Sequence, residues 1–486
     1  SGAADDRFIY IASGKVPWFL VAYDRQEKKS ATLVQTETVG GSVGVGQQRD
    51  GCSGSASGIV GTDGKRQNYW LYEGKAVPKN ADPKASPPWP VRKPSDVLPP
   101  LEVNTSRIVP DIDGFAEIWV KTTEAKADAP PPAQGWKQFR FQVPLHSQSI
   151  YRLVELPDGR LLGTAGSYEG NFVYDPKINQ SKHLGKCHLS HYATTLLDGK
   201  VYMSGYPTSP LYVFDPALPW TAGTVDGARV IDDTAAAANP RQLLRLGTKE
   251  LAGTHKMYAA VTGANGMVYF GGEWIRDGAG GGLAWYDPKT GKAGGLWRPF
   301  SNYQITHLAT ADNGRIVVIS TRRVEDTVLK KPKPDQGALF FLDTTTNELG
   351  DMFEPIKGVK GTGPVLGVGG TSIMGWTADP ADEKKSIVYV VDVREPKVLF
   401  TKNLPYPLPV AIGSNQQENW DFRLGPDGQV WTFVAEALVC MNPASGDIQP
   451  IGKVPAGRLA FSDGRVYLGG TAFLRRIKNL TIPPQK

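Results

Sequence analysis

Histidine, methionine and cysteine are scarce in this chain: six, six and three among 486 residues. Cys52, Cys187 and Cys440 lie far apart, with no CxxC and no cysteine/histidine zinc spacing, which argues against a metal–thiolate module. Three thiols allow at most one bridge and leave one over. Cys187 beside His188 reads either as a metal corner or as a small buried residue at the start of a strand. Charge of one sign is also lacking, since 54 Lys and Arg face 48 Asp and Glu, and no like-charge block suggests a nucleic-acid arm. No apolar run approaches the ~18 residues of a membrane helix. Helical periodicity is almost absent too; only 228–249 has room for a short helix, and Pro240 interrupts it.

What is abundant is turn chemistry. There are 55 glycines and 38 prolines, well above the usual ~12% for the two together. Forty per cent of the residues are hydrophobic and twelve are Trp, enough for a packed core. One unit recurs: a short apolar strand, an Asp/Asn-Gly turn, a second strand, a loop, and a third strand that often closes on an aromatic and Asp-Pro. YRLVELPDGRLLGTAGSYEGNFVYDP (151–176) and HYATTLLDGKVYMSGYPTSPLYVFDP (191–216) are the clearest copies. The central turn glycines are Gly159, Gly199, Gly266, Gly314, Gly370, Gly428 and Gly464. Asp-Gly and Asn-Gly supply the positive φ of a tight hairpin, and the flanks carry β-branched and aromatic residues.

Repeated three- or four-stranded units of this kind predict an all-β, single-domain β-propeller over 1–486. The last unit lacks an outer strand, so the N-terminal segment RFIYIASG…WFLVAYDRQEKKSATL is expected to close the ring and remove its open edges. The count is then seven or eight blades. Residues 50–143 read as a degenerate blade, and its Pro-rich insertion 75–112 as an extended surface arm. The opening SGAADDRF reads as a mature chain whose leader has been removed, or as the start of a trimmed piece; a secreted or periplasmic protein is expected.

Five of the six histidines, His146, His188, His191, His255 and His307, fall at or near the start of an innermost strand in consecutive blades. They are expected to converge on one rim of the central channel. Loops between second and third strands add Tyr168, Tyr206, Trp274, Arg276, Arg322, Arg323, Trp376 and Glu436 at the same rim, with Glu169 and Glu273 beside them. Imidazoles and phenols suit acid/base work. Trp and Tyr faces stack on sugar rings, and an arginine forks a carboxylate through two parallel hydrogen bonds. Taken singly, each of these residues has an ordinary structural reading; Tyr151, Tyr192 and Tyr258 read as core. The GAGGG run at 278–282 is not a phosphate loop, because neither the spacing nor a following helix is there.

The histidine-bearing inner strands, their DGR/DGK turns and the closing YDP resemble the propeller-fold polysaccharide lyases, the ulvan lyases and rhamnose–glucuronate lyases. The similarity covers roughly 146–345 and favours seven blades. It implies cleavage of a uronic-acid-containing glycan by β-elimination. An arginine neutralises the carboxylate, and His and Tyr move the C5 proton and protonate the leaving oxygen at C4. By position, the resemblance assigns catalysis to His146, His191, Tyr206, His255 and a carboxylate clamp at Arg276 or Arg323. It leaves His188, Tyr168, Trp274, His307, Arg322 and Trp376 to hold substrate. One departure is that the stretch one hairpin after His146 reads Gly166-Ser167-Tyr168 and holds no second histidine, so base and acid stay interchangeable. No cofactor is required, although a Ca or Mn ion is compatible. The alternatives are a metal-dependent propeller lyase or hydrolase with three histidines on one ion, and a non-catalytic carbohydrate-binding propeller. The expected partner is an acidic polysaccharide or oligosaccharide, with no nucleic acid, no membrane and a monomeric chain.

Overall fold

The computed structural model describes residues 2–482 except 6, 15–17, 37–43, 48–53, 61–65, 80–101, 111–114, 122–135, 144–149, 166–170, 186–189, 222–233, 274–279, 326–333, 409–420, 435–436, 455–456 and 471–473. The described chain is strand and turn throughout, with one short 3-10 turn at Arg298–Phe300. None of its helices is long and apolar enough to cross a membrane. It forms two compact units, one from Ser1–Gln148 and one from Ser149–Thr224 with Val230–Lys486.

The larger unit is a β-propeller. Among the described residues it holds seven antiparallel sheets, each pairing its strands in chain order, at 150–185, 190–245, 256–296, 303–349, 365–404, 423–453 and 458–481. We number them blades 1 to 7. Every blade turns from its first strand to its second through one of the seven glycines named above, and all seven have positive φ, from 55° at Gly370 to 87° at Gly159. A side chain there would be forced into the left-handed region, and glycine adopts it without that cost.

Alternation along the strands explains how the blades stack. Val317 and Ile319 pack toward blade 3, while Val318 between them packs toward blade 5. Val388 and Val390 join blade 6, and Tyr389 and Val391 join blade 4. Each sheet is therefore apolar on both faces, and a separate core fills each gap between neighbours. The seventh core is decisive, because Ile150, Leu153 and Leu161 of blade 1 pack with Ala460 and Tyr467 of blade 7. The Ser462 hydroxyl donates to the Gly159 carbonyl at 2.6 Å across the same seam. Blade 7 closes the ring directly on blade 1.

The N-terminal strands therefore do not complete that ring, contrary to the expectation from the sequence. Sheets at 2–36, 44–78 and 102–142 make up the smaller unit. Ile9, Ile11, Phe19 and Val21 of the first pack on Phe141, while Tyr10, Leu20 and Ala22 pack on Val45, Ala56 and Leu71. The first sheet spends both faces on these partners, so it has none left to serve as a blade elsewhere. The 75–112 arm also needs correcting. Lys75–Pro78 is the fourth strand of one sheet and Glu102–Pro110 pairs with Phe115–Lys121 in another; 80–101 lie outside the described residues. The helix considered over 228–249 is absent from its described part, where Arg241–Arg245 is the outer strand of blade 2.

Gly281 and Gly282 of the GAGGG run have a packing role. A Cβ on Gly282 would stand 1.9 Å from the Ala252 carbonyl oxygen, and one on Gly281 2.6 Å from that of Gly272. Backbone meets backbone there and cannot yield. Gly282→Ala is expected to cost ~1–3 kcal/mol or more, read as a lower midpoint in denaturant unfolding.

Candidate functional site

Inner strands begin, and second strands end, at the same edge of each blade. In blades 2 to 4 this edge gathers Tyr206 at the end of Lys200–Tyr206, His255 and Lys256 at the start of Lys256–Thr262, and Glu273 at the end of Val268–Glu273. Gln304 near the start of Tyr303–Ala311 and Arg322 near the end of Ile316–Arg323 complete it.

Contacts tie these side chains together. The Tyr206 and His255 rings meet edge to face, with centroids 4.8 Å apart at 87°. The Thr208 N–H lies 3.3 Å from His255 Nδ1 and orients the ring. The His255 N–H donates to the Glu273 carbonyl at 3.0 Å and orients the backbone. Lys256 Nζ lies 5.5 Å from the centre of the Tyr206 ring and 3.7 Å from Glu273 Oε1. Glu273 accepts from the Tyr258 hydroxyl and from Gln304 Nε2, and Gln304 Oε1 accepts from Arg322 at 2.7 Å. Lys256, Glu273 and Arg322 together carry one net positive charge when Glu273 is ionised.

Burial raises the Glu273 carboxyl above its ordinary value of 4.5, even though Tyr258, Lys256 and Arg322 all favour the charged form. Burial, with Glu273 alongside, also pushes the Tyr258 hydroxyl far up, so it stays a neutral donor. The sign for stability follows from the raised carboxyl. Its contribution is full below the unfolded value and is lost as pH rises through the folded one. Glu273→Gln is expected to remove that slope, checked by denaturant unfolding from about pH 4 to about pH 8.

Of the residues singled out in the sequence, this edge brings together Tyr206, His255, Glu273 and Arg322. His146, His188, Tyr168, Trp274, Arg276 and Glu436 lie outside the described residues. His191 does not reach the rim: it is 1% exposed and packs edge-on against Tyr212, whose ring belongs to the core between blades 1 and 2. Trp376 offers no sugar platform, being wholly buried with Phe422 between blades 5 and 6. Arg323 faces its own blade's loop, where it donates to the Pro334 and Asp335 carbonyls. His307 is half-buried on the inner strand of blade 4, opposite Ser320.

Register separates the described histidines. The inner strands of blades 1 to 4 each carry a β-bulge, at Tyr151, Tyr192, Tyr258 and Thr306. Counted from it, His191 stands one residue before, His255 three before and His307 one after. His191 and His255 thus differ in distance along the strand and not in parity, whereas positions before and after a bulge pair with consecutive residues of the second strand and take opposite faces, which separates His307 from His191. Among the described residues no three of His, Cys, Asp and Glu group as metal ligands. The reading of Tyr151, Tyr192 and Tyr258 as packing residues holds: the first two stack at 5.2 Å, and Tyr258, 5% exposed, meets Tyr192 at 6.0 Å. Tyr258 adds its hydroxyl to the polar chain. Lys256 and Gln304 carried no sequence signal beyond polar residues at the start of inner strands. Cys440 is a free, buried thiol of blade 6; Cys52 and Cys187 lie outside the described residues.

No protein-family model matches the chain, and no curated protein matches its sequence. Several solved structures are similar. Hydrazine synthase of Kuenenia stuttgartiensis aligns with TM-score 0.48 and 10% identity over 72% of this chain and 99% of that one. A streptogramin B lyase gives 0.46 and 10% over 68% and 94%. Virginiamycin B lyase of Staphylococcus aureus gives 0.43 and 8% over 74% and 97%. At such identities the likeness concerns the fold alone.

Proposed function

We propose that the propeller unit is a polysaccharide lyase that cleaves a uronate-containing glycan by β-elimination, at the edge where Tyr206 meets His255. The observation that carries this reading is a phenol and an imidazole in ring contact at 4.8 Å, beside the Lys256 ammonium. A proton α to a carboxylate is barely acidic until positive charge holds the developing enediolate. Lys256 and Arg322 supply that charge, in addition to the clamp expected of Arg276. One of His255 and Tyr206 takes the C5 proton, the C4–O bond breaks, the C4=C5 double bond forms, and the other group protonates the departing oxygen. Glu273 takes no proton from the sugar in this scheme. It positions Lys256 and, through Gln304, Arg322. Secretion and an acidic polysaccharide partner fit the reading.

Elimination leaves a conjugated product that absorbs in the ultraviolet, and hydrolysis does not. The chain incubated with uronate-rich polysaccharides is expected to raise ultraviolet absorbance in step with new reducing ends. New reducing ends without absorbance would overturn the proposal in favour of hydrolysis. Binding with neither product would reduce the site to a lectin-like one.

A further inference from the structure

The loop that leads from Tyr206 into the third strand of blade 2 holds its backbone in an uncommon state. Thr208 and Ser209, just before the strand Pro210–Phe214, have φ of 62° and 48°. Among the described non-glycine residues with positive φ, Thr208 is the one with a β-branched side chain. The Cβ atom crowds the carbonyl in this left-handed region, and glycine would take the same backbone without that cost. Two such residues in succession persist only where their surroundings hold them.

The surroundings are those of the candidate site. Ser209 is wholly buried, with its hydroxyl 3.3 Å from the Thr254 carbonyl oxygen and 3.2 Å from Thr254 Oγ1. Thr254 is buried too, directly precedes His255, and has its own hydroxyl on Met257 Sδ at 3.5 Å. The Ser209 carbonyl accepts the Leu246 N–H at 2.9 Å, and the Thr208 hydroxyl accepts Arg245 at 3.2 Å. Gly247 closes the junction, because a Cβ there would stand 2.2 Å from the Thr254 carbonyl oxygen and 2.6 Å from that of Thr208. Residues 206–209 are thus fastened to 254–255 through the Ser209 hydroxyl, and these two segments carry the rings that meet at 4.8 Å.

We infer that Ser209 is a positioning residue for the Tyr206–His255 pair, an assignment that rests on reading this edge as the reacting centre. Its buried hydroxyl, tied to Thr254, holds the left-handed turn so that the phenol and the imidazole stay in contact. Proton transfer needs both groups within hydrogen-bond reach of the sugar, so a small displacement of either ring costs rate rather than binding. Serine at this position gives up backbone ease and keeps the hydroxyl that fixes the loop.

Ser209→Gly removes the hydroxyl and relieves the left-handed backbone at once. Its unfolding midpoint is expected to match or exceed the parent's, while kcat on a uronate glycan falls roughly tenfold or more and KM stays within about twofold. A second measurement needs no substrate. In the intact chain labelled selectively at tyrosine and histidine, a nuclear Overhauser contact between the Tyr206 and His255 rings is expected, and it should weaken in Ser209→Gly. Gly247→Ala displaces the same junction from the outer-strand side and should weaken that contact likewise. A parent chain that shows the contact but cleaves no uronate glycan overturns the elimination reading, and the ring contact in the variants then decides the role of Ser209. The proposal is overturned if Ser209→Gly keeps the ring contact and the parental kcat, or if it lowers the midpoint with the contact intact, which would make the hydroxyl a prop for folding only.

Discussion

An Asp421→Ala variant is expected to lose about 3–5 kcal/mol of stability, enough to unfold many domains outright. Asp421 is 4% exposed and answers several groups at once. Its carboxylate accepts Arg423 and the Leu459 N–H, and its carbonyl accepts the Thr432 hydroxyl at 2.7 Å. Removing the carboxylate takes away a counter-charge that Arg152, Arg423 and Arg458 share, so the loss exceeds the worth of any one hydrogen bond. It also loosens the junction of blades 6 and 7, since Asp421 of blade 6 holds the inner strand of blade 7. Asp421→Asn keeps the shape and should cost less. Burial alone would raise this carboxyl, but Arg423, Arg458 and Arg152 together hold it below its ordinary 3.8. Its stabilisation is therefore full above that value and is lost as pH falls through the lower folded one. Acid unfolding of the parent chain should show this dependence, and the Asp421→Asn variant should have lost it. The slope is opposite in sign to that of Glu273, so the two variants together separate the two buried carboxyls.

Tyr206→Phe is expected to lower elimination roughly 10²–10⁴-fold with little change in unfolding midpoint. The phenylalanine ring keeps the edge-to-face contact with His255 and the Lys256 ammonium above it, so only the hydroxyl is lost. His255→Gln should fall by a similar factor. These two variants also decide which group is the acid. A substrate whose C4 substituent leaves readily needs no protonation, so it should restore activity to the variant lacking the acid and not to the one lacking the base. If both variants retain parental activity on every uronate glycan cleaved, the edge of blades 2 to 4 is not the reacting centre.

Local chemistry made much of this architecture legible in advance. Asp-Gly and Asn-Gly turns demand positive φ wherever they occur, and that demand alone marked the first hairpin of most blades. Alternating apolar strands marked sheets covered on both faces. Ring closure is not legible in the sequence, because blade 7 reads as one strand short, while the N-terminal strands look equally able to complete it. The choice rests on which faces remain free: Ile150, Leu153 and Leu161 meet Ala460 and Tyr467, whereas Ile9 and Tyr10 already have partners on both sides.

The site was legible in part for a related reason. Tyr206 and His255 flank a loop and the start of an inner strand, where strand order places them at one edge. The fate of His191 depends on a bulge one residue away, and a bulge is a property of the paired strands. Trp376 shows the same limit, since nothing in WTADP tells a rim tryptophan from one sealed against Phe422. By itself, then, the sequence determined the repeat, the strand–turn–strand unit and the residue types available for proton transfer, because these follow from backbone preference and alternation within about thirty residues. Only the tertiary structure decided the rest, because it depends on register and closure. That includes the register of His191, His255 and His307, the Lys256–Glu273–Gln304–Arg322 chain, and the junction at which Arg423 meets the carbonyl of Leu153, 270 residues away along the chain.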